Sequence, residues 1–546
     1  MEAFAELLDR LVLTPQRNGK IRLLADYFRS TADPERGFAL AAITRDLDLA
    51  SVKPAMLRAL INERVDPELF AYSYDYVGDL AETISLIWPM PKRGPEQRRV
   101  NRPPMLSDIV EALSQASRRE GPLLVARWLD DLDASGRYAL LKLVTGGLRI
   151  GVSARLAKQA LADFGQVDVT QIEELWHGLV PPYENLFAWL EGRGPRPANL
   201  AAAPFRPVML ATALDEADFT KLDAADYAAE WKWDGIRVQA VAEAGVRRIY
   251  SRTGDDISHA FPDIMEAMDF EGAIDGELLV GRLGENGITA GTFGDLQQRL
   301  NRKTVSAKQL EDYPAFVRAY DLLQEGSQAD GEDLRPLPLR ERRMRLEAFI
   351  AGLDPQRFDL SPLIAFNSFE ELAAFRAAPP HPIIEGVMLK RHDSPYLPGR
   401  PKGPWFKWKR DPFTIDAVVI YAQRGHGKRS SYYSDFTFAV WTGPEDNPTL
   451  VPVGKAYFGF TDEELILLDR FVRENTTERF GPVRGVRAEP DHGLVVEVAF
   501  EGLNRSTRHK SGVAMRFPRF SRLRWDKPPR EADRLETLQK LLERER

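Results

Sequence analysis

The chain has 546 residues, 44% hydrophobic and 28% charged, with a formal net charge of -7, which suits several soluble globular domains and excludes wholesale disorder, a fibrous design and a uniformly basic nucleic-acid binder. It contains no cysteine, which removes disulfides, thiolate zinc sites, iron–sulfur clusters and cysteine nucleophiles together. No apolar run approaches the roughly 20 residues that span a bilayer, and Met1-Glu2-Ala3-Phe4-Ala5-Glu6 lacks a basic leader, so a cytoplasmic protein without membrane contact is expected.

Residues 1–200 read as a helical domain. Apolar side chains recur three and four apart over Phe4 to Leu13, Lys20 to Arg29, Leu106 to Arg119 and Leu123 to Leu132, with a Pro/Arg-rich connection from Pro89 to Pro104. Two helices are then predicted around the turn Thr145-Gly146-Gly147-Leu148-Arg149-Ile150-Gly151-Val152-Ser153, the second over Ala154 to Ala162. Its glycines would let backbone amides approach a phosphate beside Lys142 and Arg149, which suits sequence-independent duplex binding, although such hairpins more often serve packing alone. Gly192 to Pro207 carries no periodic pattern and reads as a linker.

From residue 205 to 410 the texture becomes α+β. Strands are predicted over Tyr227–Trp231, Val238–Val241, Arg248–Ser251, Ala273–Val280 and Ala315–Asp321, with helices over Arg340–Ile350 and Phe369–Ala377. Residues 411–546 read as mostly β, over Ala417–Ala422, Phe436–Trp441, Val451–Phe458 and Leu494–Phe500, with one helix, Asp462 to Asn475, before the last strand. That order suits a small Greek-key barrel of the OB type, with a β sandwich as the competing arrangement. Near the end, Arg505 to Arg530 holds nine basic residues against one acid, Asp526.

The chemistry centres on Lys232 in Glu230-Trp231-Lys232-Trp233-Asp234-Gly235-Ile236-Arg237. A lysine becomes a nucleophile only after losing its proton, which burial or neighbouring cations promote. Five strings follow in order: Ser251-Arg252-Thr253-Gly254, Asp275-Gly276-Glu277, Tyr320-Asp321, Glu385-Gly386-Val387-Met388-Leu389-Lys390 and Lys407-Trp408-Lys409. Each alone is most often a turn, a core aromatic or a solvated strand edge. Together they supply what nucleotidyl transfer to an amine needs: Lys232 as nucleophile, Lys407 and Lys409 as cations on one strand face, Glu385 and Glu277 for a divalent ion, and Tyr320 as an aromatic wall.

In this order the strings resemble the motifs of the ATP-dependent DNA ligases, within the covalent nucleotidyltransferases that include RNA ligases and mRNA capping enzymes. The resemblance implies ATP as co-substrate, Mg²⁺ or Mn²⁺ as the ion held by Glu277 and Glu385, and nicked duplex DNA as partner. It implies that Lys232 carries AMP with Asp234 beside it, that Arg237 and Glu277 contact the ribose, and that Glu230 and Tyr320 lie near adenine. Phosphate would meet Arg252, Lys407 and Lys409, and Arg400 and Asp255 sit near contact positions of the family.

The stretch from Arg516 to Lys527, Arg516-Phe517-Pro518-Arg519-Phe520-Ser521-Arg522-Leu523-Arg524-Trp525-Asp526-Lys527, resembles the C-terminal ligase motif, which makes Arg516 and Arg519 candidates for orienting the leaving pyrophosphate. Leu148 to Ser153 resembles a string of the helical DNA-binding domain, implicating Lys142, Arg149, Gly151 and Ser153. The expected protein is therefore a monomer that encircles DNA, bacterial and nucleoid-associated, similar in overall look to the cisplatin damage response ligases. The competing readings are an RNA ligase or capping-type enzyme and a nick-binding scaffold without catalysis.

Overall fold

The computed structural model describes residues 1–47, 49–77, 79–89, 103–198, 201–284, 287–300, 302, 304–327, 329–425, 432–444, 446–507 and 509–544. Most of the expected connection from Pro89 to Pro104 lies outside them. The chain forms two compact units, Met1–Pro207 and Val208–Arg546, so the second and third domains expected from the sequence share one unit.

The first unit is helical throughout its described residues. Amphipathic helices such as Glu2–Leu13, Arg17–Ser30, Ala134–Thr145 and Ala154–Gly165 turn their apolar faces inward, and Leu8, Leu24, Phe28, Leu140 and Leu161 are wholly buried. The helix expected from Leu106 to Arg119 is shorter, ending at Gln115, and a new one begins at Glu120. Ser117 is the cause: its hydroxyl accepts from the Glu120 N–H at 3.3 Å while its own N–H donates to the Glu120 carboxylate at 2.9 Å, a reciprocal cap that opens the next helix. The supposed linker also has a packed end, since Ala203, Phe205 and Arg206 are buried and Phe205 meets His177 edge-on at 5.4 Å.

The second unit begins with two sheets. One runs Val246–Ser251, Ile236–Glu243, Gly272–Gly284, Ala315–Glu325 and Glu332–Asp333, with Gly287–Ala290 and Phe358–Leu360 added at the sides. The other runs Thr212–Ala213, Trp405–Lys409, Ile384–Arg391, Tyr227–Trp233 and Leu363–Ile364. The chain passes from the second sheet to the first through Asp234-Gly235, where only glycine fits, because a Cβ on Gly235 would stand 2.5 Å from the Leu278 carbonyl oxygen.

The C-terminal region is strand-rich and closes on itself. Phe413–Arg424 pairs with both Tyr433–Thr442 and Val495–Phe500, Tyr433–Thr442 pairs with Thr449–Ala456, and Val495–Phe500 pairs with Arg519–Arg524. The Phe520 N–H donates to the Phe458 carbonyl at 3.1 Å, joining the last strand to the end of the third. The resulting ring, with the helix Asp462–Asn475 between its third and fourth strands, is the five-stranded Greek-key barrel of an OB fold rather than a sandwich. Sequence periodicity missed the hairpin Thr476–Phe480 with Val483–Val486, the ribbon Gly502–Arg505 with Val513–Arg516, and the helix Leu535–Arg544.

Candidate active site

Three adjacent strands build the floor of the site by register alone. On the central strand Ile384–Arg391, Gly386 lies between Lys232 and Lys409, Met388 between Glu230 and Lys407, and Lys390 between Ala228 and Trp405. Because side chains alternate along a strand, the even-numbered residues of the two inner strands share one face with Lys407 and Lys409. Phe406 and Trp408 turn the other way and pack with Leu389 and Val387. Gly386 is required where it stands: φ is +153°, and a Cβ would come within 2.2 Å of the Trp408 carbonyl oxygen.

Above this floor lies a cavity of about 470 Å³ whose walls include Lys232, Arg237, Arg252, Glu277, Tyr320, Glu385, Arg400, Lys407, Lys409 and Arg516. The Lys232 ammonium donates to the Glu385 carboxylate at 2.9 Å, and Lys409 reaches the same oxygen at 3.2 Å. Burial works to raise the Glu385 pKa, but Lys232 and Lys409 outweigh it and hold the group below the ordinary carboxylate range. Burial lowers the Lys407 pKa, and the surrounding Arg400, Lys232, Lys409 and Arg252 lower it further. So many cations facing one cavity call for an anion between them.

The other sheet supplies the opposite wall. Arg237 pairs across strands with Glu277. Tyr320 is the extra residue of a bulge, since Asp275 pairs with Asp321 while Gly276 pairs with Ala319. Arg237 lines the cavity, yet its guanidinium is held by Asp275 at 2.6 and 3.1 Å, by the Met209 carbonyl at 2.6 Å and by the Tyr396 hydroxyl at 3.0 Å. Tyr320 and Tyr396 both donate to the same Asp275 carboxylate, at 3.2 and 2.6 Å. Burial pushes the Glu277 pKa up to about 7, aided by Glu385 and Asp275 and opposed by Lys232 and Arg237.

Deep in the cavity Glu230 is 2% exposed and accepts from Lys390 at 3.1 Å, with the Lys390 ammonium 4.4 Å from the Tyr320 ring centre and 4.7 Å from that of Trp405. A carboxylate buried in this way needs a matched partner, and Lys390, with Arg343 3.9 Å from the same oxygen, supplies it.

The OB region reaches the cavity through Arg516. It forms an ion pair with Asp234, including a hydrogen bond of 2.8 Å. Arg519 stands apart from the cavity lining and instead meets Glu501 at 2.9 Å, whose other oxygen lies 3.7 Å from Lys409. Asp255 also stays outside the lining, bonded to Ser251 and Thr253.

Sequence reasoning assigned no role to Asp275, Lys390, Tyr396 or Glu501. Asp275 stands two residues before Glu277, so alternation puts both on one face; Lys390 shares the cavity with Glu385 only through the register shift between Ile384 and Gly386, and nothing in the sequence indicates that Tyr396 folds back against Asp275.

In the first unit the four residues expected to contact DNA divide. Lys142 is a correction: its side chain is 5% exposed and its ammonium donates to Asp79 at 2.5 Å, so the helix interior, not a phosphate, occupies it. Ser153 caps the helix Ala154–Gly165 by accepting from the Leu156 N–H at 3.2 Å. Gly151 has φ +64° and its carbonyl accepts from Lys20 at 3.1 Å. Arg149 has φ +50° and a side chain 77% exposed, 3.8 Å from Asp79.

A family model described as "ATP dependent DNA ligase domain" matches residues 208–409, and one described as "ATP dependent DNA ligase C terminal region" matches residues 429–527. A "Probable DNA ligase" of Koribacter versatilis is 31% identical over 99% of this chain and 96% of its own length. The chain belongs to the ATP-dependent DNA ligases. DNA ligase 1 of Korarchaeum cryptofilum is 28% identical over 100% of this chain and 98% of its own. The solved structure "Pmar-Lig_PreS3", 15% identical, shares the fold over 95% of this chain and 99% of its own with a TM-score of 0.58. No helix among the described residues is long and apolar enough to cross a membrane.

Proposed function

We propose that this ligase seals nicks in duplex DNA through an AMP adduct on Lys232. One observation carries the reading: the Lys232 ammonium and Lys409 share a single Glu385 oxygen at 2.9 and 3.2 Å on the floor of a cavity whose walls also hold Arg252, Arg400 and Lys407. The deprotonated Lys232 nitrogen attacks the α-phosphorus of ATP; a nitrogen–phosphorus bond forms, the α–β oxygen bridge breaks, and pyrophosphate leaves against the basic wall. An oxygen of the 5′-phosphate at a nick then attacks the same phosphorus, freeing the lysine. The 3′-hydroxyl finally attacks the activated 5′-phosphorus, forming the phosphodiester and releasing AMP.

The ion pair of Arg516 with Asp234 sets the OB region over the cavity, an arrangement suited to adenylation, whereas sealing requires the cavity to open toward DNA. Glu277 and Glu385 suit a divalent ion. Among the described residues no group of three or more His, Asp or Glu could hold a metal, but Mg²⁺ commonly takes one or two carboxylates together with substrate phosphates. Mg²⁺, or Mn²⁺ in its place, would supply charge neutralisation on the phosphates.

We infer that the enzyme acts as a monomer closing around nicked DNA in the bacterial cytoplasm, in repair or replication. A net charge of -7 is compatible with this, because only the DNA-facing surfaces need be basic. The deciding test is incubation with [α-³²P]ATP followed by nick sealing with ATP, GTP or NAD⁺. A labelled protein and sealing with ATP alone are expected, with both lost in Lys232→Ala; an undiminished adduct in that variant would refute the assignment.

A further inference from the structure

Arg516 enters the cavity from the OB region with a seat already in place. Its guanidinium carbon lies 4.4 Å from the ring centre of Phe293 and 5.5 Å from that of Phe517, while its nitrogens meet Asp234. Phe293 lines both the nucleotide cavity and the smaller adjoining one, of about 130 Å³, where Asp234, Glu385, Lys409, Glu501 and Arg516 also converge.

The position of the ring is built in. Phe293 starts the short helix Phe293–Gln297, where Thr292 accepts from the Asp295 N–H at 3.2 Å and donates its own N–H to the Asp295 carboxylate at 2.8 Å. The preceding Gly291 N–H donates to the Val280 carbonyl at 2.7 Å, and the Phe293 side chain packs against the core of the first sheet. On the other side, Phe517 has φ +50°, rare for a bulky residue, in the turn that presents Arg516.

An arginine on a flexible stem loses rotamer freedom when it is fixed at a charged site. A planar aromatic face beneath the guanidinium lets it keep both nitrogens on one carboxylate, and the attraction adds to the ion pair without needing water to be displaced from it. Asp234 directs the charge, and the Phe293 ring face limits how the guanidinium can turn about the carboxylate.

We propose that Phe293 is a positioning residue for adenylation: its ring holds the Arg516 guanidinium against Asp234 at the mouth of the nucleotide cavity. The role rests on the reading of Lys232 as the adenylated residue, and it acts through Arg516 rather than on the nucleotide directly.

The test is single-turnover formation of the protein–[³²P]AMP adduct by the full chain without DNA. Phe293 is only half-buried, so its variants are expected to fold, which thermal melting followed by circular dichroism checks. Phe293→Leu is expected to slow adduct formation about tenfold, while Phe293→Trp, which keeps a π face, stays within about threefold of the parent. In an Arg516→Ala background, Phe293→Leu should add less than about twofold, because the partner it seats is gone. An unimpaired Phe293→Leu, a slowing of equal size with and without Arg516, or a Phe293→Trp as slow as the leucine variant would each overturn the proposal. A Lys232→Ala control that still formed the adduct would instead overturn the reading of Lys232.

Discussion

Two lysine–carboxylate pairs in this molecule have similar geometry and different surroundings. Lys142 of the helical unit donates to Asp79 at 2.5 Å, and Lys232 of the second unit donates to Glu385 at 2.9 Å. The Lys142 side chain is 5% exposed and closed in by its own helices, whereas that of Lys232 is 22% exposed and faces the cavity. Asp79 also caps a helix, accepting from Ala81 and Glu82 N–H groups, so its lone pairs are spent on structure. Glu385 is shared with a second ammonium, Lys409, at 3.2 Å, while the second cation near Asp79, Arg149, stands off at 3.8 Å. On the proposed reading, the working pair differs from the structural one in having open space beside it.

Substitutions should separate the two. Glu385→Gln removes the negative charge shared by Lys232 and Lys409, and adduct formation is expected to fall by about a hundredfold or more, with melting temperature little changed; an undiminished rate would erase the distinction. Lys142→Met should act in the opposite way, leaving Asp79 without its buried partner at a cost of about 2 to 3 kcal/mol in denaturant unfolding. Adduct formation per folded molecule should be preserved.

A pH series sharpens the structural half. Glu191 is held down to about 2 by its hydrogen bonds with Arg36 and then Arg193, against some burial. A carboxylate depressed in the folded state stabilises fully above its unfolded value, near 4.5, and that contribution disappears as pH falls through about 2. Glu191→Gln should therefore cost roughly 2 kcal/mol at pH 7, allowing for partial solvation, and the gap between variant and parent should close between pH 4.5 and about 2. A gap independent of pH would remove this origin for the stability. The smallest effect is expected from exposed Arg149: Arg149→Ala should lower the slope of log affinity for nicked duplex against log salt by about one, without altering adduct formation in the absence of DNA.

Much of the site was legible because strands alternate. Once Lys232 and Lys407 are placed on strands, period two puts Glu230 and Lys409 on the same faces, and the structure aligns them across one sheet; Glu385 and Lys390, five residues apart, share the cavity only because the register shifts between Ile384 and Gly386. The helix Phe369–Ala377 was predicted at the residues where it is found, and the helix Asp462–Asn475 likewise. The end of the helix predicted from Leu106 to Arg119 was not legible, because apolar spacing cannot show that Ser117 and Glu120 would cap each other. Nor was the burial of Lys142, since a lysine beside glycines looks the same whether it faces phosphate or an aspartate 63 residues away.

By itself the sequence determined which groups are available: a candidate nucleophilic lysine, carboxylates, cations and an aromatic ring, each on a strand or turn. Only the tertiary structure decided which of these groups meet. Strand register put three strands side by side under one cavity, the bulge at Tyr320 added a wall, and the closed barrel delivered Arg516 to Asp234 and Phe293. The reason is physical: alternation and capping act over a few residues and can be read locally. Pairing partners more than a hundred residues apart are chosen by burying the apolar faces of whole sheets together.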